Sequence, residues 1–302
     1  MEYVRIETRA ASGAAGDKAP PGAREAMAPS DPAYVTVSPG NERAALAVSD
    51  IIAGARASYL WGLLGWQDIR QRYRRSKIGP FWLTISMGVM VASLGLLYAG
   101  LFKIDVATYL PFITLGFIVW GLIASFITDG CSIFIGAESI IKQVNLPLSV
   151  HAYRTVWRNL IIFAHNLVIF VFVAIIFSIW PGWAGLLALP GLALLCINGV
   201  WVGLLLGLLS ARFRDIPQIV ASVVQVTFFI TPVIWQPQSL PGRAFLIQLN
   251  PFYHFLELVR GPLLGQAPGL VSWLVALGVT VAGWLVTLAM YRRYSWRIAY
   301  WT

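Results

Sequence analysis

The sequence predicts an all-α membrane protein: six transmembrane helices, an N-terminal amphipathic interface helix, and a re-entrant outer helical hairpin between spans five and six. Of its 302 residues, 58% are hydrophobic and only 12% are charged, whereas soluble domains carry about 25% charged residues. The mean hydropathy is +0.72. Apolar runs of about 20 residues, enough to cross about 30 Å of hydrocarbon, recur along the chain, so lipid is the expected solvent.

The N-terminal segment differs from the rest in composition. Residues 1–57 are rich in Ala, Pro, Gly and Ser and contain no long apolar run. Such a segment buries too little surface to offset its chain entropy, so we expect a disordered cytoplasmic tail. Its lack of an apolar stretch also argues against a secretory signal peptide.

Residues 58–78 predict a cytoplasmic interface helix. The segment begins with Leu, Trp and Tyr residues and ends in arginines, a mixture typical of helices that lie at headgroup depth. Asp68 and Arg72 are spaced to pair along such a helix. The alternative is a simple membrane anchor with no further role.

Residues 79–302 form the predicted six-span domain. The spans are expected at about 79–102, 109–130, 157–180, 184–210, 216–236 and 270–291. Six spans place both termini on one side of the membrane. With both termini inside, thirteen basic residues flank the spans on the cytoplasmic side and three on the other. The positive-inside rule therefore makes both termini cytoplasmic.

Between spans five and six the chain is apolar but interrupted by prolines: Pro237, Pro241, Pro251, Pro262 and Pro268. Proline breaks helices, so we expect two short helical pieces, around 242–249 and 252–264, rather than a further span. Irregular backbone is tolerated at membrane depth where protein or a water-filled cavity covers it. We therefore predict a re-entrant segment at 237–266; a plain external loop is the alternative.

Several kinds of site are missing from the sequence. It has no G-x-x-x-x-G-K-[ST] and no Gly-Lys pair, so any ATP would be bound by a separate chain. The spans hold few carboxylates, which argues against an ion-coupled flippase. We find no nucleophile-and-base arrangement, no metal-ligand spacing and no acidic or histidine pairs of the kind a membrane glycosyltransferase or acyltransferase needs. We therefore predict neither catalytic nor metal residues.

Four stretches, taken together in their order and spacing, resemble the type-2 ABC exporter permeases of the polysaccharide export family. They are the basic segment from Asp68 to Trp82 with its Ile78–Gly79 turn, Ile141–Pro147, Arg212–Ile216, and an outer group of Thr231-Pro232-Val233, Leu240-Pro241, Asn250-Pro251 and Arg260. The likeness is greatest to O-antigen (lipopolysaccharide side-chain) exporter permeases; capsule and teichoic-acid permeases are near relatives. Ile78 stands where the family usually has Leu, and residues 1–57 fall outside the pattern.

The resemblance implies the transmembrane subunit of an exporter of a polyprenyl-diphosphate-linked polysaccharide in the bacterial inner (cytoplasmic) membrane. It also implies a homodimer with two P-loop ABC ATPase subunits, which would bind ATP and Mg; this chain would be no enzyme and carry no cofactor.

The net charge of +9 is interpreted as loop orientation and contact with anionic lipids, not nucleic-acid binding. Exporters of drugs or lipids, and a polyprenyl-phosphate-dependent transferase, stay open as alternatives.

A lipid-linked diphosphate needs cations where its headgroup is taken up, and arginine's fork matches phosphate oxygens. The candidate residues for uptake of the lipid diphosphate are Arg72, Arg74, Arg75, Lys77, Ile78 and Gly79. The alternative is attraction to anionic lipids, worth about 1 kcal/mol per basic residue.

Two further groups of residues are candidates. Aromatic faces suit the C–H faces of sugars, and the candidate channel aromatics on spans one, two and five are Tyr98, Phe102, Tyr109, Phe112, Phe117, Trp120, Phe228, Phe229 and Trp235. Packing or lipid contact is the alternative for each. Residues 138–152 form the predicted coupling loop to the ATPase, with Glu138, Lys142, Val144, Asn145, Leu146 and Pro147 as its candidate contacts. Its alternative is a solvated loop.

Overall fold

A computed structural model of the chain describes residues 40–72, 74, 81–237 and 244–302. Contacts divide the chain into Met1–Arg43, almost wholly outside the described residues, and Ala44–Thr302. The α-helices are α1 Gly40–Arg56, α2 Ser58–Arg72, α3 Phe81–Phe102, α4 Val106–Gly130, α5 Glu138–Gln143, α6 Val150–Ile176, α7 Ala188–Arg212, α8 Ile216–Ile230, α9 Ala244–Gln248, α10 Pro251–Leu263, α11 Leu270–Tyr294 and α12 Ile298–Trp301. The described residues form no strand, which confirms the predicted all-α class.

Five helical segments of the described chain are long and apolar enough to cross a membrane: Thr84–Leu101, Val106–Gly130, Val150–Ile176, Gly182–Arg212 and Leu270–Trp301. They coincide with predicted spans one, two, three, four and six. These segments make the chain a multi-pass membrane protein.

The predicted fifth span contains a shorter helix. α8 has 15 residues and therefore rises about 22 Å, less than the hydrocarbon thickness of about 30 Å. It ends at Thr231, whose backbone is extended (φ −83°, ψ 137°) because the following Pro232 disfavours the helical conformation. A non-helical stretch then covers residues 231–236.

Helix α4 is the centre of the bundle. It packs against α3, α6, α7, α8 and α10, and 67% of its most apolar stretch is buried inside the protein. Val119 and Trp120 on α4 contribute to a core that also contains Phe163 of α6, Leu195 of α7 and Leu256 of α10. A helix surrounded in this way can carry large apolar side chains on nearly every face.

Helix α1 corrects the expectation of disorder. Residues 40–56 were expected to belong to a disordered tail, but they form a helix fastened to the start of α6. The Asp50 carboxylate accepts hydrogen bonds from the backbone N–H groups of Leu148 (2.8 Å) and Ser149 (3.0 Å). A Cβ on Gly54 would lie 2.1 Å from Ser149 Oγ, so the small residues that suggest a tail allow close packing. Residues 1–39 lie outside the described residues.

Two short helices, α9 and α10, occupy the segment where two short helical pieces were predicted. Asn250 starts α10: its side chain accepts a hydrogen bond from the backbone N–H of Phe252 (3.0 Å), and Pro251 follows as the first helical residue. α10 packs against α4, α7 and α11. The approach to α7 is close, because a Cβ on Gly191 would lie 2.4 Å from the Leu258 carbonyl oxygen.

Candidate transport and coupling sites

The predicted site for uptake of the lipid diphosphate is described in part. Arg72 is the last residue of α2, and Arg74 is exposed in the turn beyond it. Arg75, Lys77, Ile78 and Gly79 lie outside the described residues. Arg74 lies beside the exposed Gln67, Arg70 and Gln71 of α2. Arg70 was not selected from the sequence. The two arginines are one helical turn apart.

Helix α2 is anchored to α6 by aromatic packing. The Trp61 ring lies 5.8 Å from Trp157, edge to face, and 6.4 Å from Tyr153. On other faces of α2, Tyr59 and Trp66 are exposed by 83% and 49%. Helix α2 therefore has one side packed against α6 and another side on which aromatic rings are exposed.

An ion-pair network at the end of the bundle was missed by the sequence analysis. Asp68 of α2 forms a two-pronged pair with Arg154 of α6, one bond being 2.8 Å from Nε to Oδ2. Arg158, one turn further on, lies 3.4 Å from Asp68 and 2.8 Å from Asp129 at the end of α4. These side chains border a cavity of about 240 Å³. The network ties α2, α4 and α6 together.

The predicted coupling residues form a protruding corner. Val144 is 50% exposed, Lys142 and Asn145 are exposed, and Leu146 and Pro147 are half-buried. Glu138 accepts a 2.7 Å hydrogen bond from Lys142 one turn on, and this bond lowers the pKa of Glu138 below its usual value. The corner thus begins in a short charged helix and ends where Asp50 holds residues 148 and 149.

The predicted channel aromatics form a chain of ring contacts. Phe228 of α8 lies 5.7 Å from Phe117 and 5.8 Å from Trp120 of α4. Trp120 continues to Phe252 of α10 at 6.0 Å, a ring that the sequence analysis did not select. Phe229 adjoins Phe228 at 5.2 Å.

The aromatics differ in exposure. Tyr109, Phe117 and Trp120 are buried, with 0%, 8% and 7% exposed, so in this conformation they support neighbouring rings. Phe229 is 63% exposed, and the half-buried Trp235 donates from Nε1 to the Phe229 carbonyl oxygen (3.1 Å). Tyr98, Phe112 and Phe228 are half-buried. The side chain of Phe102 lies outside the described part of the chain.

Side chains of α4 and α10 bind the non-helical stretch after α8. Arg260 donates from one NH group to the Pro232 carbonyl oxygen (2.7 Å). Tyr109 donates to the Ile234 carbonyl oxygen (2.6 Å), and Asn250 donates to Thr231 Oγ1 (2.9 Å). The bonds from Arg260 and Tyr109 satisfy backbone carbonyl groups that no helix satisfies, and the bond from Asn250 holds the side chain of Thr231.

The described residues contain no group of three His, Cys, Asp or Glu side chains that could hold a metal ion.

Three curated proteins resemble this chain. An O-antigen export system permease protein RfbA of Myxococcus xanthus is 22% identical over 189 residues, 61% of this chain and 72% of the relative. Two proteins of the same description from Klebsiella pneumoniae are 22% identical over 187 residues (61% and 72%) and 20% identical over 239 residues (77% and 91%).

The family model for the ABC-2 type transporter matches residues 59–264. The match begins in α2 and ends just after α10, so it includes residues 138–147, the aromatic chain and the non-helical stretch after α8. This chain therefore belongs to the ABC-2 type transporter family.

Proposed function

We propose that this permease exports a polyprenyl-diphosphate-linked polysaccharide, O-antigen, across the bacterial inner membrane. The observation that carries the proposal is the match to O-antigen export permeases over 72% to 91% of their lengths. Capsule or teichoic-acid polymers are the alternative cargo. The family match favours a transporter over a membrane transferase, and an ABC family implies an ATPase partner. We include in the proposal a homodimer with two ATPase subunits that bind ATP and Mg.

The proposed topology has six spans with both termini cytoplasmic, and span five ends in the non-helical stretch after α8. Support comes from the carbonyl groups of Pro232 and Ile234, which accept hydrogen bonds from Arg260 and Tyr109. Unpaired backbone groups are costly in hydrocarbon, and covered ones are tolerated. The stretch is therefore suited to membrane depth, with α9 and α10 as the proposed re-entrant segment.

The proposed polymer path follows the exposed side of α8. Phe229 offers an uncovered ring there, and Trp235 stands beside it. Phe228 lies behind Phe229, and the buried Phe117 and Trp120 hold Phe228 in place. Broad aromatic surface of this kind permits sliding because it contacts sugar faces without fixing one orientation. At the opposite end of the path, Arg70 and Arg74 with the neighbouring basic residues would take up the diphosphate.

The coupling corner is proposed to dock into the ATPase. Its exposed apolar residue, Val144, sits among charged and polar neighbours, as expected of a small protein interface. Val144→Asp should abolish or sharply lower co-purification of the ATPase. Phe213→Asp is the matched control: Phe213 is 52% exposed against 50% for Val144 and lies in the turn between α7 and α8. Equal retention of the ATPase by both variants would contradict docking at the corner.

The function itself is tested by deleting the gene and measuring polysaccharide on both sides of the membrane. We expect the surface polymer to disappear and the lipid-linked intermediate to accumulate inside, and the intact gene to reverse both. A deletion strain with normal surface polymer and no accumulated intermediate would refute the export proposal.

A further inference from the structure

A half-open cavity with a mixed polar and apolar lining lies between α3, α4 and α6, apart from the aromatic chain. Its volume is about 390 Å³. The polar residues that line it are Ser86, Ser125, Asp129, Asn159 and Asn166. Such a concentration of polar groups between membrane-spanning helices is unusual, because polar side chains there normally bond to one another or to a neighbouring helix.

The cavity extends from one end of the bundle to about half the membrane thickness. Its lining on α4 runs from Asp129 to Ile118, a rise of about 16 Å against about 30 Å of hydrocarbon. Asp129 also borders the smaller cavity that contains Arg154 and Arg158. The Arg158–Asp129 ion pair (2.8 Å) therefore lies where the two cavities meet.

Two amide side chains in the cavity wall each have one buried polar atom without a hydrogen-bond partner in the described part of the chain. Asn159 is 3% exposed, and its Nδ2 is buried without a hydrogen bond, as is Oδ1 of Asn166. Asn198 shows the usual solution: its amide nitrogen donates to Leu194 and Thr280, and its oxygen accepts from Trp201. Unpaired amides in hydrocarbon are strongly unfavourable, so matter that forms hydrogen bonds must fill the cavity.

The electrostatics of the cavity favour an uncharged occupant. Asp129, its one charged lining residue among those described, is already paired with Arg158. The remaining polar groups include the unpartnered Nδ2 donor of Asn159, the unpartnered Oδ1 acceptor of Asn166 and two serine hydroxyls. A hydroxyl group both donates and accepts, so it matches this set. Met87, Leu122 and Phe163 add an apolar wall. Contact of this wall with water is unfavourable, whereas the carbon atoms of a ring or chain would cover it.

We propose that this cavity binds an uncharged, hydroxyl-bearing headgroup of the sugar or glycerol type. This inference rests on the proposed export function in one respect: that function makes a membrane glycolipid the expected source of the headgroup. A soluble sugar carries the same hydroxyl groups and is the other source. Binding at this cavity is measured without transport, so the two proposals fail separately. Wild-type cells that export polymer while the cavity binds nothing would leave the export function standing and refute the cavity.

The test uses the full chain with its ATPase in lipid nanodiscs and a photoreactive glucosyl diacylglycerol with the reactive group on the sugar. A photoreactive diacylglycerol without sugar serves as the comparison probe. We expect the glucosyl probe to label the cavity-facing peptides of α3 and α6. Asn159→Leu should lower this labelling about tenfold, equivalent to about 1.4 kcal/mol. Competition by free glucose would show that the hydroxyl groups suffice, and its absence that the lipid anchor contributes; both results support the site.

A second pair of variants keeps the test decisive if Asn159→Leu folds poorly. Gly121 lines the cavity. A Cβ added there would have Met87 Cε as its nearest described atom, at 4.0 Å. Gly121→Leu therefore fills the cavity without a backbone clash. Gly88→Leu on α3 is the matched control, since its Cβ has Ile169 at the same 4.0 Å and does not line the cavity. Labelling lost in the first variant and kept in the second is expected. Equal labelling of the two variants, or equal labelling by the two probes, would show that the cavity holds only water or hydrocarbon. Either result would overturn the proposal.

Discussion

Replacing the buried Arg260 by Met should strongly destabilise the protein. Arg260 is 1% exposed. Its guanidinium binds Glu257 through Nε (2.9 Å) and a second nitrogen, donates to the Pro232 carbonyl oxygen (2.7 Å), and lies 4.1 Å from the centre of the Phe112 ring. One side chain thus joins α10 to α4 and to the end of α8.

The expected loss follows from these contacts. Breaking a buried ion pair from one side costs about 3–5 kcal/mol, because the other charge is left uncompensated. Glu257 keeps 24% of its side chain exposed, which lowers the cost toward the smaller figure. The hydrogen bond to Pro232 contributes about 1.5–3 kcal/mol and the ring contact about 2 kcal/mol when desolvated, but these terms overlap. We expect a total loss of about 4 kcal/mol.

Unfolding of the purified protein by SDS titration in mixed micelles measures this loss. Arg293→Met is the matched control, because Arg293 is exposed and lies 5.5 Å from the Tyr294 ring; its loss should stay below about 1 kcal/mol. Arg260→Lys should recover only part of the stability, since an ammonium group cannot reproduce the guanidinium fork. If the SDS concentration at the unfolding midpoint were the same for Arg260→Met and Arg293→Met, the buried contacts of Arg260 would not contribute the expected stability.

Two further stability predictions concern close contacts. Asp50→Ala removes the acceptor for two backbone N–H groups and for the Tyr291 hydroxyl (2.8 Å); it should cost about 2–4 kcal/mol and make α1 accessible in limited proteolysis, whereas unchanged proteolysis would contradict the fastening of α1. Gly116→Ala would place a Cβ 2.6 Å from the Val233 carbonyl oxygen and should cost about 1–3 kcal/mol in the same SDS titration. Gly278→Ala, with no described atom within 4 Å, should instead stabilise by up to about 1 kcal/mol; equal effects of the two alanines would refute the close approach.

The long helices could be predicted from the sequence because hydrophobic length is a local property. Each of the five long segments appears as an apolar run with few charges, and the helix-breaking effect of proline also acts locally. The same reasoning failed for residues 40–56, because a composition of Ala, Gly and Ser is compatible both with disorder and with a helix that packs closely. Only a contact distant in sequence, Asp50 with Ser149, distinguishes the two.

Pairing partners could not be predicted, because they come from distant parts of the chain. Spacing along α2 suggested Asp68 with Arg72, but the Asp68 carboxylate binds Arg154 and Arg158 of α6. Arg260 shows the same limit: it is one of the three basic residues that the positive-inside comparison assigns to the outer side, and the structure buries its guanidinium against Glu257 and Pro232. Charge counts therefore indicate orientation only when the counted side chains are free to reach water.

The distribution of ion pairs gives a physical route from the coupling corner to the aromatic chain. Val144 is followed five residues later by Ser149, which is bound to Asp50 of α1, and then by the first turns of α6. In these turns Arg154 and Arg158 form ion pairs with Asp68 of α2 and Asp129 of α4. α4 is a continuous helix from these aspartate contacts to Trp120, whose ring contacts Phe228. If the corner docks into the ATPase as proposed, we expect its movement to shift α4 and to change the Arg158–Asp129 distance, so that the cavity between α3, α4 and α6 and the proposed polymer path respond together.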